Sequence, residues 1–204
     1  MNRVEFFYDL SSPWTFMAFN AIGPILQETA SGATWRPMLV GGVFNAVNQQ
    51  LYAAREDTET PKRRATSVWL REWAEFAGVP MNFPNPYHPL RSVNAMRFCC
   101  AIEGDQKTLE RFSRAAFEAY FDKARNLDDP AELVAVADGC GLDGKALADA
   151  AQTQEVKDRL RDNTQEAIDR GAFGSPSIFV DGSHMYFGND QLPLIRNRLL
   201  AEPA

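Results

Sequence analysis

Four residues near the amino terminus, Ser12-Pro13-Trp14-Thr15, have the types and order for chemistry. They follow a strand-like run, Val4-Glu5-Phe6-Phe7-Tyr8-Asp9, and open a long apolar stretch of helical character. A strand therefore delivers a hydroxyl to the first turn of a helix. There, unpaired N–H groups and the positive end of the helix dipole favour a negative charge, whether carboxylate, phosphate or thiolate. Serine before proline is also the ordinary way to begin a helix, the hydroxyl taking one orphan N–H while proline fixes φ. As a nucleophile, serine needs a base within hydrogen-bond reach. The chain has two histidines, His88 and His184, and the sequence places neither beside Ser12, so a Ser/His hydrolase is poorly supported.

A second chemical segment lies near the other end, Gly174-Ser175-Pro176-Ser177-Ile178-Phe179-Val180-Asp181-Gly182. It reads as a strand led by proline and closed by a turn. Proline at a strand's first position gives up no ladder donor, and a Ser-Pro bond in a tight connection is a candidate cis peptide. Met185-Tyr186-Phe187 follows as the second arm of an antiparallel hairpin. Gly188-Asn189-Asp190 then leads into a final helix from about Gln191 to Leu200. Asp190 can cap that helix, or accept from an ammonium while the helix start receives a carboxylate.

The elements that must hold these residues read strand, helix, strand (Thr34 to Val40), a long middle, then strand, strand, helix. The middle, about Gly41 to Gly171, is too long for a simple connection and reads as inserted helices. Helical spacing predicts core faces at Trp69, Trp73, Phe76 and Ala77, at Ala95, Phe98, Ala101 and Ile102, and at Leu109, Phe112, Ala116, Phe117 and Tyr120. A last inserted helix, about Gln154 to Arg170, uses Val156, Leu160, Ala167 and Ile168. Composition, 45% hydrophobic and 24% charged over 204 residues, provides enough apolar chain for one sizeable core plus an insertion.

A formal net charge of −6 argues against nucleic acid as a partner. The basic residues of Lys157-Asp158-Arg159-Leu160-Arg161-Asp162 alternate with acids and read as a solvated helix face. Lys62-Arg63-Arg64 is a short cluster. Apolar runs fall well below the ~20 residues that span a bilayer, and no leader-like segment opens the chain, so no membrane partner and a cytoplasmic location are expected. Cys99, Cys100 and Cys140 sit on helix-like segments as small hydrophobes, with oxidation sensitivity left open. No cysteine occupies position 12 or 15, which excludes disulfide exchange there. With two distant histidines and no recognisable ligand spacing, no metal site is expected.

The motifs Phe6-Phe7-Tyr8-Asp9-Leu10-Ser11-Ser12-Pro13-Trp14, Gly171-Ala172-Phe173-Gly174-Ser175-Pro176 and Phe187-Gly188-Asn189-Asp190 resemble the DsbA-like branch of the thioredoxin superfamily. Within it, they are similar to the 2-hydroxychromene-2-carboxylate isomerases and kappa-class glutathione transferases. The resemblance spans nearly the whole chain. It implies an α/β, thioredoxin-like fold with an inserted all-helical domain, residues 1–40 and 172–204 forming the thioredoxin-like domain and 41–171 the insert. It implies glutathione as cofactor, its thiolate stabilised by Ser12, its cysteinyl part paired with the Ser175 backbone and its γ-glutamyl group held by Asn189-Asp190. Thr60-Pro61 matches a family pair that touches glutathione, and Tyr87 matches a tyrosine near the active site. Asn45 stands where the isomerases commonly place a lysine, so an amide replaces a charged contact, and Pro89-Leu90-Arg91-Ser92 replaces a Pro-x-Asn-Ser pattern.

The implied reaction is isomerisation of a small aromatic acid, the thiolate adding reversibly to an activated double bond. A kappa-like transferase would keep the thiolate and end with a conjugate. A noncatalytic module would dock a peptide or small acid along the proline-led strand without activating a thiol. The resemblance also implies a homodimer.

Overall fold

The computed structural model describes residues 2–47 and 60–201; Asn48 and Gln49, beside Asn45 in the sequence, lie outside them. Strand β1 (Asn2–Tyr8) is flanked by β2 (Gly32–Pro37) in parallel and β3 (Ser177–Val180) antiparallel, and β4 (His184–Phe187) completes the order β2-β1-β3-β4. β3 and β4 form the expected hairpin. The strand period of two divides β1 between two cores. Val4, Phe6 and Tyr8 enter the larger one, whereas Phe7 joins Met38, Val43, Ala167 and Phe179 in the smaller.

Helix α1 (Pro13–Glu28) follows β1, and α2 (Val40–Val47) follows β2. The middle supplies α3 (Pro61–Phe76), α4 (Val93–Ala101) and α5 (Gln106–Phe117), the last running into a π-turn at Glu118–Asp122. It continues through α6 (Pro130–Gly139), α7 (Gly144–Ala150) and α8 (Gln154–Asp169). A 3-10 turn at Asn189–Gln191 precedes α9 (Leu192–Leu200). The fold is α/β and thioredoxin-like with inserted helices. One apolar cluster runs from β1 through α1 into α4 and α5, where Phe16 stacks on Phe117 and Phe121. Inside it, the Tyr8 hydroxyl hydrogen-bonds Ser113 Oγ.

Two expectations need correction. Extended structure does not run to Val40. It stops at Pro37, and Val40 opens α2 because its N–H is received by the Asp9 carboxylate at 2.9 Å, a helix start capped from across the fold. On α3, Trp69 and Phe76 face outward, Phe76 being 83% exposed. The helix packs on α1 through Leu70 and Ala74 against Met17, so the covered stripe is offset from the aromatic one. Cys99 and Cys100 are both buried, because α4 has neighbours on opposite sides, with the Cys100 carbonyl accepting from Arg159. Burial pushes the Cys99 thiol up to about 12, so it stays protonated.

Candidate functional site

The turn after β1 brings Ser12 to the start of α1, its N–H donating to the Asp9 carbonyl at 3.2 Å. Ser12 Oγ accepts from Thr15 N at 3.2 Å and donates to the Ser175 carbonyl at 3.1 Å. The Ser175–Pro176 peptide bond is cis, as the sequence suggested. Ser175 Oγ accepts from Asp9 N at 2.9 Å and shares a 2.8 Å hydrogen bond with Thr15 Oγ1. The two motifs from opposite ends of the chain therefore meet, Ser12 against the backbone of Ser175 and Thr15 against its side chain.

Asp9, fully buried, organises this corner. Its Oδ1 accepts from Ser11 N at 2.9 Å, and its Oδ2 accepts from Val40 N at 2.9 Å and Ser92 Oγ at 3.0 Å. The end of β1, the start of α2 and the residue before α4 are thereby fixed to one carboxyl group. Burial raises its pKa against the lowering effect of those three donors. The sequence shows Asp9 as a motif residue, but its partners Val40 and Ser92 come from elements whose convergence only the fold reveals. No acidic residue stands in the first turn of α1, so the positive end of its dipole is left to an incoming anion.

Asn189 is buried in the 3-10 turn, whereas Asp190 is exposed and accepts from Gln191 Nε2 at 2.9 Å. Gly188 has φ 99°, and a Cβ there would stand 2.6 Å from Asp190 Oδ1. A Cβ on Gly174 would collide with the Phe187 ring. With Gly188 N donating to the Pro176 carbonyl at 3.3 Å, these close approaches seat the Asn189-Asp190 turn beside the proline-led strand.

A pocket of about 370 Å³ opens at Ser11, walled by Leu39, Val40, Gly42, His88, Leu90 and Val93 among others. His88, which sequence could not place, lines it and lies 3.4 Å through Nδ1 from the Tyr120 hydroxyl. Tyr87 does not line it; its carbonyl accepts from the Tyr120 hydroxyl at 3.0 Å. Thr60 and Pro61 stand at the start of α3, where the Thr60 carbonyl accepts from Arg64 N, and neither lines this pocket. Asn45 lines an adjoining cleft on the far side of Leu39. Ser12 and Ser175 thus meet at the start of α1, with Asn189-Asp190 seated beside the proline-led strand, while Asn45 belongs to the adjoining cleft and the Tyr87 carbonyl is taken by Tyr120.

A family model described as a DSBA-like thioredoxin domain matches residues 3–200. The chain belongs to this DsbA-like family. Across the family, 2-hydroxychromene-2-carboxylate isomerase from Sphingobium xenophagum is 25% identical, over 97% of this chain and 97% of its own length. Glutathione S-transferase kappa 1 from Homo sapiens is 26% identical over 96% of this chain and 90% of its own. A solved 2-hydroxychromene-2-carboxylate isomerase shares the DsbA-like fold with a TM-score of 0.79 at 23% identity, covering 96% of this chain and 93% of that one. Among the described residues of this DsbA-like chain, no helix is long and apolar enough to cross a membrane.

Proposed function

We propose that this DsbA-like protein is a glutathione-dependent isomerase acting on a small aromatic acid with an activated double bond. The observation that carries the reading is the Ser12 hydroxyl, held at the start of α1 with its proton on the Ser175 carbonyl. The donor set suits a cysteinyl tripeptide: a hydroxyl and a helix start for sulfur, a strand backbone at Ser175, and a turn with Asn189-Asp190 for an amino acid end. When bound, glutathione supplies the thiolate that adds reversibly to the double bond and permits rotation. Ser175 offers its carbonyl to the cysteinyl N–H. Once that acceptor is taken, Ser12 turns its proton toward the sulfur, so binding of the backbone and activation of the thiol are coupled. Asp9 keeps Ser11 and the α1 entry in place, and the wall at Leu39, Leu90 and Val93 shields the reacting carbon from water.

Calorimetric titration of glutathione into wild type and Ser12→Ala, with ultraviolet absorbance of the thiolate, tests this reading. Binding with a thiolate signal that Ser12→Ala abolishes supports it; binding without that signal removes Ser12 from the role. The 26% identical kappa transferase relative motivates a second reading, conjugation. Product analysis separates the two, because a transferase consumes glutathione stoichiometrically and an isomerase regenerates it.

A further inference from the structure

The pocket at Ser11 shares Leu39, Gly42 and Val93 with a larger cleft of about 560 Å³ between α2, α4 and α8. Among the described residues that line that cleft, three are cations, Arg97, Lys157 and Arg161, and none is an acid, although the chain as a whole is acidic. Arg97 lies one helical turn beyond Val93 on the same face of α4, and helical side chains lean toward the amino-terminal end, here toward the Ser11 pocket. Lys157 and Arg161 repeat the same spacing on α8, with Leu160 and Thr164 continuing the wall.

The cations differ in how they are satisfied. Arg161 is paired with Asp158 and Asp162. Elsewhere, partly buried arginines are matched to acids, Arg36 to Glu103 and Glu166, Arg170 to Glu5 and Glu166. Arg97 has a buried Nε with no hydrogen-bond partner, and neither Arg97 nor Lys157 has an ion-pair partner among the described residues. A half-buried guanidinium without an acid loses solvation and regains little. A carboxylate arriving from outside would match its planar fork.

We propose that this cleft is a carboxylate subsite in which Arg97, assisted by Lys157, holds an acid group that an apolar spacer separates from the reactive carbon at Ser12. The assignment rests on reading Ser12 as the thiolate site. Leu39 and Val93 stand between the two ends, so a ring seated on them carries its carboxylate outward to Arg97, whereas a carboxylate next to the reactive carbon stays on the Ser11 side. The substrate class is an aryl electrophile with its acid across the ring.

Three saturated probes that lack the double bond for conjugate thiol addition separate binding from chemistry: benzylacetone, para-carboxybenzylacetone and benzylpyruvate. Each is titrated calorimetrically, without glutathione, into wild type, Arg97→Met and Lys157→Met. The para acid is expected to bind wild type at least about tenfold tighter than benzylacetone, the scale of one charge-assisted pair, and benzylpyruvate to show no such gain. Arg97→Met removes the gain and leaves benzylacetone unchanged; Lys157→Met removes part of it, and serves alone if Arg97→Met does not fold. Equal binding of the acid and neutral probes, an equal gain for benzylpyruvate, or a gain that survives the variants overturns the assignment. So does inorganic phosphate binding as tightly as the para acid, or Arg97→Met weakening glutathione, which gives the cleft to the tripeptide's own carboxylate. Because the probes are titrated without glutathione and lack the double bond, the subsite can fail while the Ser12-dependent thiolate signal persists, and the reverse.

Discussion

Around Ser12, the hydroxyls of Ser12, Thr15, Ser92 and Ser175 and the Asp9 carboxyl spend their hydrogen bonds on one another and on backbone groups. Across Leu39 and Val93, the buried Arg97 Nε has no hydrogen-bond partner among the described residues. A closed network fixes geometry, because each member lost leaves another buried group unmet. An open cation does the opposite: it contributes little to holding the fold and leaves its interaction for a ligand. On the proposed reading, rigidity serves the place where a thiolate would be aimed and unspent charge the place where a substrate would be selected.

The sharpest way to break this contrast is to open the network. Asp9→Ala orphans Ser11 N, Val40 N and the Ser92 hydroxyl, at ~1–2 kcal/mol each, so a loss of about 4 kcal/mol and a fall in melting midpoint of roughly 10 °C are expected. An unchanged melt would show that the corner does not depend on Asp9. Asp9→Asn probes the charge. Because the folded pKa of Asp9 is raised, the native state holds that proton more tightly than the unfolded chain. Its contribution is therefore present below the unfolded pKa and is lost as pH rises through the folded one. The stability advantage of wild type over Asp9→Asn should narrow over that window in denaturant titrations.

Next in size is Ser12→Ala. Removing the cap costs about 1 kcal/mol, while glutathione-dependent turnover falls about a hundredfold, the scale of a lost donor to developing or resident negative charge. Steady-state kinetics beside a thermal melt separates the two, and equal losses in both would make Ser12 merely structural. Thr15→Val keeps shape and deletes the 2.8 Å bond to Ser175. About 1 kcal/mol of stability is expected to go, with the thiolate signal of glutathione retained.

The ends of the network were legible in sequence for a physical reason: Ser12-Pro13 and Ser175-Pro176 announce helix and strand starts through proline's fixed φ and missing donor. Gly188-Asn189-Asp190 marked its turn by a different route, glycine's access to the positive φ of 99° that Gly188 adopts. Nothing local marks Val40 or Ser92 as partners of Asp9, since those contacts span the fold, and the capping of Val40 ended β2 earlier than its apolar pattern suggested. Trp69 and Phe76 satisfied a helical stripe that α1 does not cover. The alternating charges of Lys157 to Asp162 read as solvated, which holds for Arg161 and Asp162, whereas Lys157, Asp158 and Arg159 are half-buried. Of these, Lys157 lines the cleft between α2, α4 and α8.

Arg161 provides the finest test of the contrast, since it lines the same cleft as Arg97 and Lys157 but already has Asp158 and Asp162 beside it. Its side chain is 67% exposed, where water screens whatever charge those acids leave. Arg161→Gln is therefore expected to change the affinity for para-carboxybenzylacetone by less than about twofold and to leave the melting midpoint where it was. If Arg161→Gln weakens the acid as much as Arg97→Met does, the cleft selects by summed positive potential rather than by one unpaired guanidinium. The salt dependence would then be steep for both variants. If only Arg97→Met matters, burial and the lack of a partner, rather than the number of cations, decide which charge reads the substrate.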